Sequence, residues 1–168
     1  MWDKFGEFDS AEEINSVALN FRDEGDVEAL KLLVLENGID EEDGYDFVNG
    51  LLDELVTNQL AAIGKLEVET KDLKLEGVLK DWVEELKTIC MKDEAFAVAV
   101  RRKGKDLAGY IALTAEEGYK NRAVVDKRIV NKATTIKGIV GSHEFSIGIP
   151  NMAGRKKLAR MYYMGDKT

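Results

Sequence analysis

Asp40, Glu41, Glu42, Asp43 and Asp46 place five carboxylates within seven residues. That density suits a cation or a basic protein surface. A calcium loop of the EF-hand type needs Asp at its first position, Gly at its sixth and Glu at its twelfth. Counted from Asp40, the sixth residue is Tyr45 and the twelfth is Leu51. The metal reading fails, and the acids suit a helix N-terminus, whose dipole favours negative charge. Glu41, Glu42, Asp43 and Asp46 are therefore candidates for contact with a basic partner.

Two cationic sets oppose them. Arg101, Arg102, Lys103 and Lys105 gather at a helix end, where cations also complement the dipole. Arg155, Lys156, Lys157 and Arg160 lie on the last helix, with Tyr163 one turn beyond Arg160. Cations beside an aromatic suit a phosphate backbone or an unstacked base, and equally an acidic protein groove. The candidates for partner or nucleic-acid contact are Arg101, Arg102, Lys103, Lys105, Arg155, Lys156, Arg160 and Tyr163.

Groups that could form or break bonds are few. His143 is the single histidine and Cys90 the single cysteine, so an intramolecular disulfide and a Cys-based zinc site are excluded. His143 reads as a solvated turn residue, and Cys90 as a small buried hydrophobe on an apolar helix face. Gly138, Gly141 and Gly148 do not form a dinucleotide-binding fingerprint, and no P-loop pattern occurs. The expectation is a protein without catalytic residues, metal or cofactor.

Charge is more informative than any motif. The formal net charge is -8 over 168 residues. Residues 1–99 hold 26 Asp and Glu against 9 Lys and Arg, a balance of −17. Residues 100–168 hold 15 Lys and Arg against 6 Asp and Glu, a balance of +9. Such polarity gives a field with two ends. The acidic end is repelled by nucleic acid and drawn to basic grooves. The basic end can meet phosphates, or the acidic end of a neighbouring copy, so a homodimer is one expectation.

Helices must position these charges. Ser10-x-x-Glu13 is a capping-box pattern, followed by a stripe of Ile14, Val17, Ala18 and Phe21. Gly25, Asn37-Gly38 and Asn49-Gly50 stop three short helices, the second and third capped by Asp26 and Asp40. Leu51 to Gly64 reads as a longer helix, and Lys65 to Glu69 as irregular or helical. Trp82, Val83, Leu86, Ile89 and Cys90 mark the strongest amphipathic helix. Asp93 caps the next, and Leu107 to Gly118 forms another. Thr134 to Val140 is β-branched, and Phe145, Ile147 and Ile149 alternate, with Gly141-Ser142 between them as a turn. That predicts a β-hairpin. Asn151 to Tyr163 makes a basic C-terminal helix. The fold class is mainly α (α+β), with about eight helices and one β-hairpin in the C-terminal half. The expected division is an acidic helical subdomain over residues 1–64, then a helical core with hairpin and basic helix over 65–168. No apolar run reaches the roughly 18–20 residues that span a bilayer. The acidic opening segment lacks a basic, apolar leader. Both features predict a cytoplasmic protein with no membrane contact.

Several blocks together resemble a family of small proteins carried by phages and conjugative elements of gut Firmicutes. They are WDKFGEFDSAEEIN from Trp2, ENGIDEEDGYDFVNG from Glu36, AAIGKLEVE from Ala61, RRKGKDLAGYI from Arg101, and GIPNMAG from Gly148 with the later Tyr162-Tyr163. Lys103 to Tyr119 resembles part of the PcfK-like conjugation family. The resemblance is to phrases without a catalytic motif, and it carries over no active residue. It implies a setting of mobile DNA in a bacterial cytoplasm. Acidic, non-enzymatic proteins of that setting include anti-CRISPR inhibitors, which present carboxylates where a nuclease expects phosphates. The first functional expectation is therefore a non-enzymatic inhibitor of a Cas9-type ribonucleoprotein that blocks target DNA binding. The alternative is a nucleic-acid-binding accessory or regulatory protein of a phage or conjugative element, acting through the basic half.

Overall fold

Capping side chains set where most helices begin in the computed structural model, which describes residues 1–165. Helix α1 spans Ala11–Glu24, and Ser10 Oγ accepts from the Glu13 amide at 3.1 Å. The Glu13 carboxylate accepts from Asp9 at 2.7 Å, one residue earlier than the standard capping box would have it. Helix α2 (Val27–Glu36) is capped by Asp26, α3 (Glu41–Val48) by Asp40, and α4 (Asn58–Asp72) by Thr57. Helix α5 covers Val78–Lys92; Asp93 then caps α6 (Glu94–Arg101), and Asp106 caps α7 (Leu107–Lys120). The chain continues through β1 (Ala123–Val124), α8 (Lys127–Val130), α9 (Thr134–Val140), β2 (Ser146–Ile147) and α10 (Met152–Met164), the last capped by Asn151. The protein is mainly helical, with ten helices and one small antiparallel sheet among the described residues.

Two apolar cores form. The first joins α1, α2, α3 and the following loop around Ile14, Leu30, Leu33, Phe47, Leu55 and Val56. The second joins α4 to α7 with α10 around Leu66, Leu86, Phe96, Val100, Tyr110 and Tyr163. Helix α4 serves both, because Ala61 faces the first core while Ala62 and Leu66 face the second. The expected boundary between residues 64 and 65 thus falls inside one continuous helix. Residues 166–168 of the expected second unit lie outside the described residues.

Three local expectations are corrected. Leu51 to Gly64 is not one helix. Gly50 turns the chain at φ 72°, and Leu55 and Val56 enter the first core from an irregular link. The Asn15 side chain holds that link by donating to the Val56 carbonyl at 2.9 Å and accepting from its amide at 3.0 Å. Gly64 is not a stop either. It lies inside α4, where its missing Cβ lets the helix cross the turn between α2 and α3, against the backbone of Asn37 and Gly38. Lastly, Thr134 to Val140 is a helix, and Gly141 ends it. The strand at Ser146–Ile147 pairs with Ala123–Val124 instead, Ala123 opposite Ile147. The strand was read correctly, but its partner comes from before two short helices rather than across a hairpin.

Residues 122–149 form an arm in which no side chain is buried. The arm leaves the second core where the backbones of Gly118 and Gly148 touch, so closely that a Cβ on either would overlap the other's carbonyl. Among the described residues, no helix is long and apolar enough to cross a membrane.

Candidate functional site

The acidic end of the sequence becomes a lobe. Residues 1–57, which build most of the first core and its surface, carry 17 Asp and Glu against three bases. Those bases do little to offset the lobe. Lys4 lies over the Phe5 ring, Arg22 over the Phe47 ring, and Lys31 pairs with Glu28. Four carboxylates have a cation: Asp3 the amino terminus, Glu28 Lys31, Glu7 Lys65, and Glu13 Lys103 at 3.9 Å. The other thirteen have no ion-pair partner among the described residues.

Helix α3 concentrates that field. Asp40 caps it by accepting from the Glu42 amide at 2.9 Å, and Glu41, Glu42 and Asp43 fill its first turn. Glu41 and Glu42 are exposed, while Asp43 and Asp46 are half-buried. Partial burial, together with Asp40 and Asp46 nearby, holds the Asp43 carboxyl above the usual range. A lone carboxylate is ordinarily stabilised at a helix N-terminus. Here like charges accumulate beyond what the dipole offsets, which is the electrostatic condition for attracting a cationic surface.

The basic candidates do not converge. Arg101 is 1% exposed and points inward, donating to Asn37 Oδ1 at 2.7 Å. Tyr163 is buried in the second core, edge-on to Phe96, and burial pushes its hydroxyl well above the ordinary phenol value. Arg155 is clamped by Glu85 at 2.5 Å and by the Pro150 carbonyl, and Arg160 by Asp93 at 2.7 Å. These four are occupied with internal structure. Arg102, Lys103, Lys105 and Lys156 remain exposed, Lys105 over the Tyr162 ring at 4.9 Å. Lys156, Arg160 and Tyr163 do share a stripe of α10. Along that stripe Lys156 is exposed, Arg160 is partly exposed but paired with Asp93, and Tyr163 is buried in the second core.

Sequence reasoning missed a buried ionic cluster between the two cores. Lys65 is fully buried in α4 and donates to Glu7 at 2.5 Å and to the Arg102 carbonyl at 2.9 Å. Glu69, one turn on, accepts from the Leu107 amide at 2.9 Å through Oε2. Its Oε1 lies 3.9 Å from Lys65 Nζ and has no hydrogen-bond partner. Burial pushes Glu69 up to about 7, against the opposing pull of Lys65 and the Leu107 amide. Burial also brings Arg101 down to about 10, opposed by Glu7, Glu69, Glu13 and Asp9. The i, i+4 spacing of Lys65 and Glu69, each next to the apolar positions Gly64, Leu66 and Val68 of α4, was the available signal. The cluster's members fasten the turn after α2, helix α4 and the end of α6 to one another.

Other reactive groups stand apart. Burial pushes the Cys90 thiol up to about 12, so it stays protonated at neutral pH. His143 is exposed on the arm. Among the described residues, no three His, Cys, Asp or Glu side chains group as metal ligands. Compared with known protein families, with curated proteins and with solved structures, the chain matches none.

Proposed function

We propose that this protein works as a binding protein whose acidic lobe occupies a cationic nucleic-acid groove in another protein, with a Cas9-type ribonucleoprotein as the partner. The observation that carries the reading is the set of thirteen carboxylates without a cation on residues 1–57, densest at α3. A channel lined with Lys and Arg for a phosphate backbone gains the same charge neutralisation from such a surface. The capped helices α1, α2 and α3 hold these carboxylates on a packed scaffold, so little order is lost on binding.

The alternative, nucleic-acid contact through the basic half, is less well supported. Of the eight residues that carried it, Arg101 and Tyr163 are buried, and Arg155 and Arg160 are committed to Glu85 and Asp93.

Target-duplex binding by a Cas9-type ribonucleoprotein, titrated with this protein, tests the proposal. The reading requires duplex binding to be lost near one protein per effector, and undiminished duplex binding would exclude it.

A further inference from the structure

The arm and the acidic lobe each leave an apolar surface bare, and the two surfaces are complementary. On the arm, Ile129 is 62% exposed, Ile139 81%, and Val124, Ile147 and Ile149 more than half. Around them stand Arg122, Lys127, Arg128, Lys132 and Lys137 against two acids, Asp126 and Glu144. Only Arg128 has an ion-pair partner among the described residues, namely Asp126. A segment of 28 residues with no buried side chain contributes almost nothing to its own stability and gains by being covered.

The lobe offers a cover of the opposite sign. Helices α2 and α3 frame a groove of about 640 Å³, floored by Leu30 and Val34 and edged by exposed Leu35 and Tyr45. Glu28, Lys31 and Glu41 line its rim; Lys31 is paired with Glu28 at 3.0 Å, so the negative charge comes from Glu41 and from the surrounding lobe of 17 acids against three bases. Gly44 keeps α3 close against Val34 at its base, where a Cβ would collide with the valine methyl groups.

We infer that, when no other protein is bound to the lobe, the basic apolar arm of one copy docks in the groove between α2 and α3 of a second copy, and that the exchange is mutual, giving a closed dimer that opens to free α3. The chain itself supplies both halves of the complementarity, isoleucines for the apolar floor and lysines for the acidic lobe around it. Within one copy the two surfaces belong to different elements: α8 and α9 contact each other, while α2 contacts α1 and α3. A two-fold arrangement satisfies both arms and both grooves at once, whereas one-way docking would run on into a chain of copies.

Light scattering and sedimentation on the full chain at low ionic strength test this inference. The expected mass is twice that of one chain, with the dimer weakening at least tenfold in 1 M salt, where exposed charges are screened within a few ångströms. Ile139→Asp should give a monomer of unchanged helicity, because that side chain is already exposed. Charge exchange is the decisive arm. Lys132→Glu with Lys137→Glu, and separately Glu28→Lys with Glu41→Lys, should each be monomeric, and their equimolar mixture should restore the dimer. A wild-type monomer overturns the inference, as does a dimer indifferent to these variants, a mixture that stays monomeric, or an arm protected in a monomer by its own groove.

Discussion

Arg101 donates to the side-chain oxygen of Asn37 at 2.7 Å across 64 residues of sequence, and that bond joins the end of α6 to the turn after α2. Two other nitrogens of the guanidinium, Nε and Nη1, have no protein partner. A basic residue that reads as a surface contact in sequence is instead a bolt between the two cores. Removing it should act on stability. Arg101→Ala is expected to cost about 2 kcal/mol, within the range for leaving a buried acceptor such as the Asn37 oxygen without its donor, measured as a shift in urea midpoint. Binding by the variant at a temperature where it remains folded should be unchanged. A binding loss without a stability loss would return Arg101 to the surface role.

Glu69 should make stability fall as pH rises. Its carboxyl titrates near 4.5 when unfolded and about 7 when folded. Between those values the native state holds a proton that the unfolded chain has released. The contribution of this group is therefore full below pH 4.5 and lost as pH climbs through 7. Glu69→Gln should remove that slope, changing the pH 4.5 to pH 8 stability difference by roughly 3 kcal/mol at most. Urea unfolding of both proteins at the two pH values measures it. Equal slopes would show that Glu69 is ionised throughout.

Gly64→Ala should destabilise the protein despite the better helix propensity of alanine. The added methyl would meet the Asn37 carbonyl, a backbone atom that cannot swing aside, and would displace the partner of Arg101. A loss of about 2 kcal/mol is expected. Thermal unfolding checks it, and an unchanged or raised midpoint would contradict the close crossing.

Much of this was legible before folding. The caps at Ser10, Asp26, Asp40 and Asp93 and the stops at Gly25, Gly38 and Gly50 act within a few residues, so local pattern placed α1, α2, α3 and α6. What escaped was decided by tertiary partners. Arg101 sits four residues after Ala97 and five after Phe96, on the buried stripe of α6, so its spacing carried the signal that its charge concealed. Tyr163 follows Ala159 by four in the same way. The arm gave no such signal. With nothing buried between residues 122 and 149, no face there is constrained to an apolar period, and β-branched residues at Thr134 to Val140 passed for a strand. Gly64 passed for a stop because only a crossing helix reveals why a mid-helix glycine is needed.

Bare duplex DNA should bind weakly. The acidic lobe repels it, and Arg101, Arg155 and Arg160 are occupied. Affinity in 0.15 M salt should be no tighter than roughly 10⁻⁵ M, within the range of non-specific contact, and should vanish as salt rises. Fluorescence anisotropy on a labelled duplex measures it. Nanomolar binding that Lys156→Glu with Lys157→Glu abolishes would favour the nucleic-acid reading instead.

The central claim is that α3 and the surrounding lobe act by their negative charge. Its most direct test is the affinity for a Cas9-type ribonucleoprotein of the wild type and of a variant carrying Glu41→Lys, Glu42→Lys and Asp46→Lys, each measured at two salt concentrations. The account predicts tight wild-type binding that weakens steeply with salt, and a loss of at least a hundredfold in the folded variant. No wild-type binding, or equal binding by the two proteins, would contradict it.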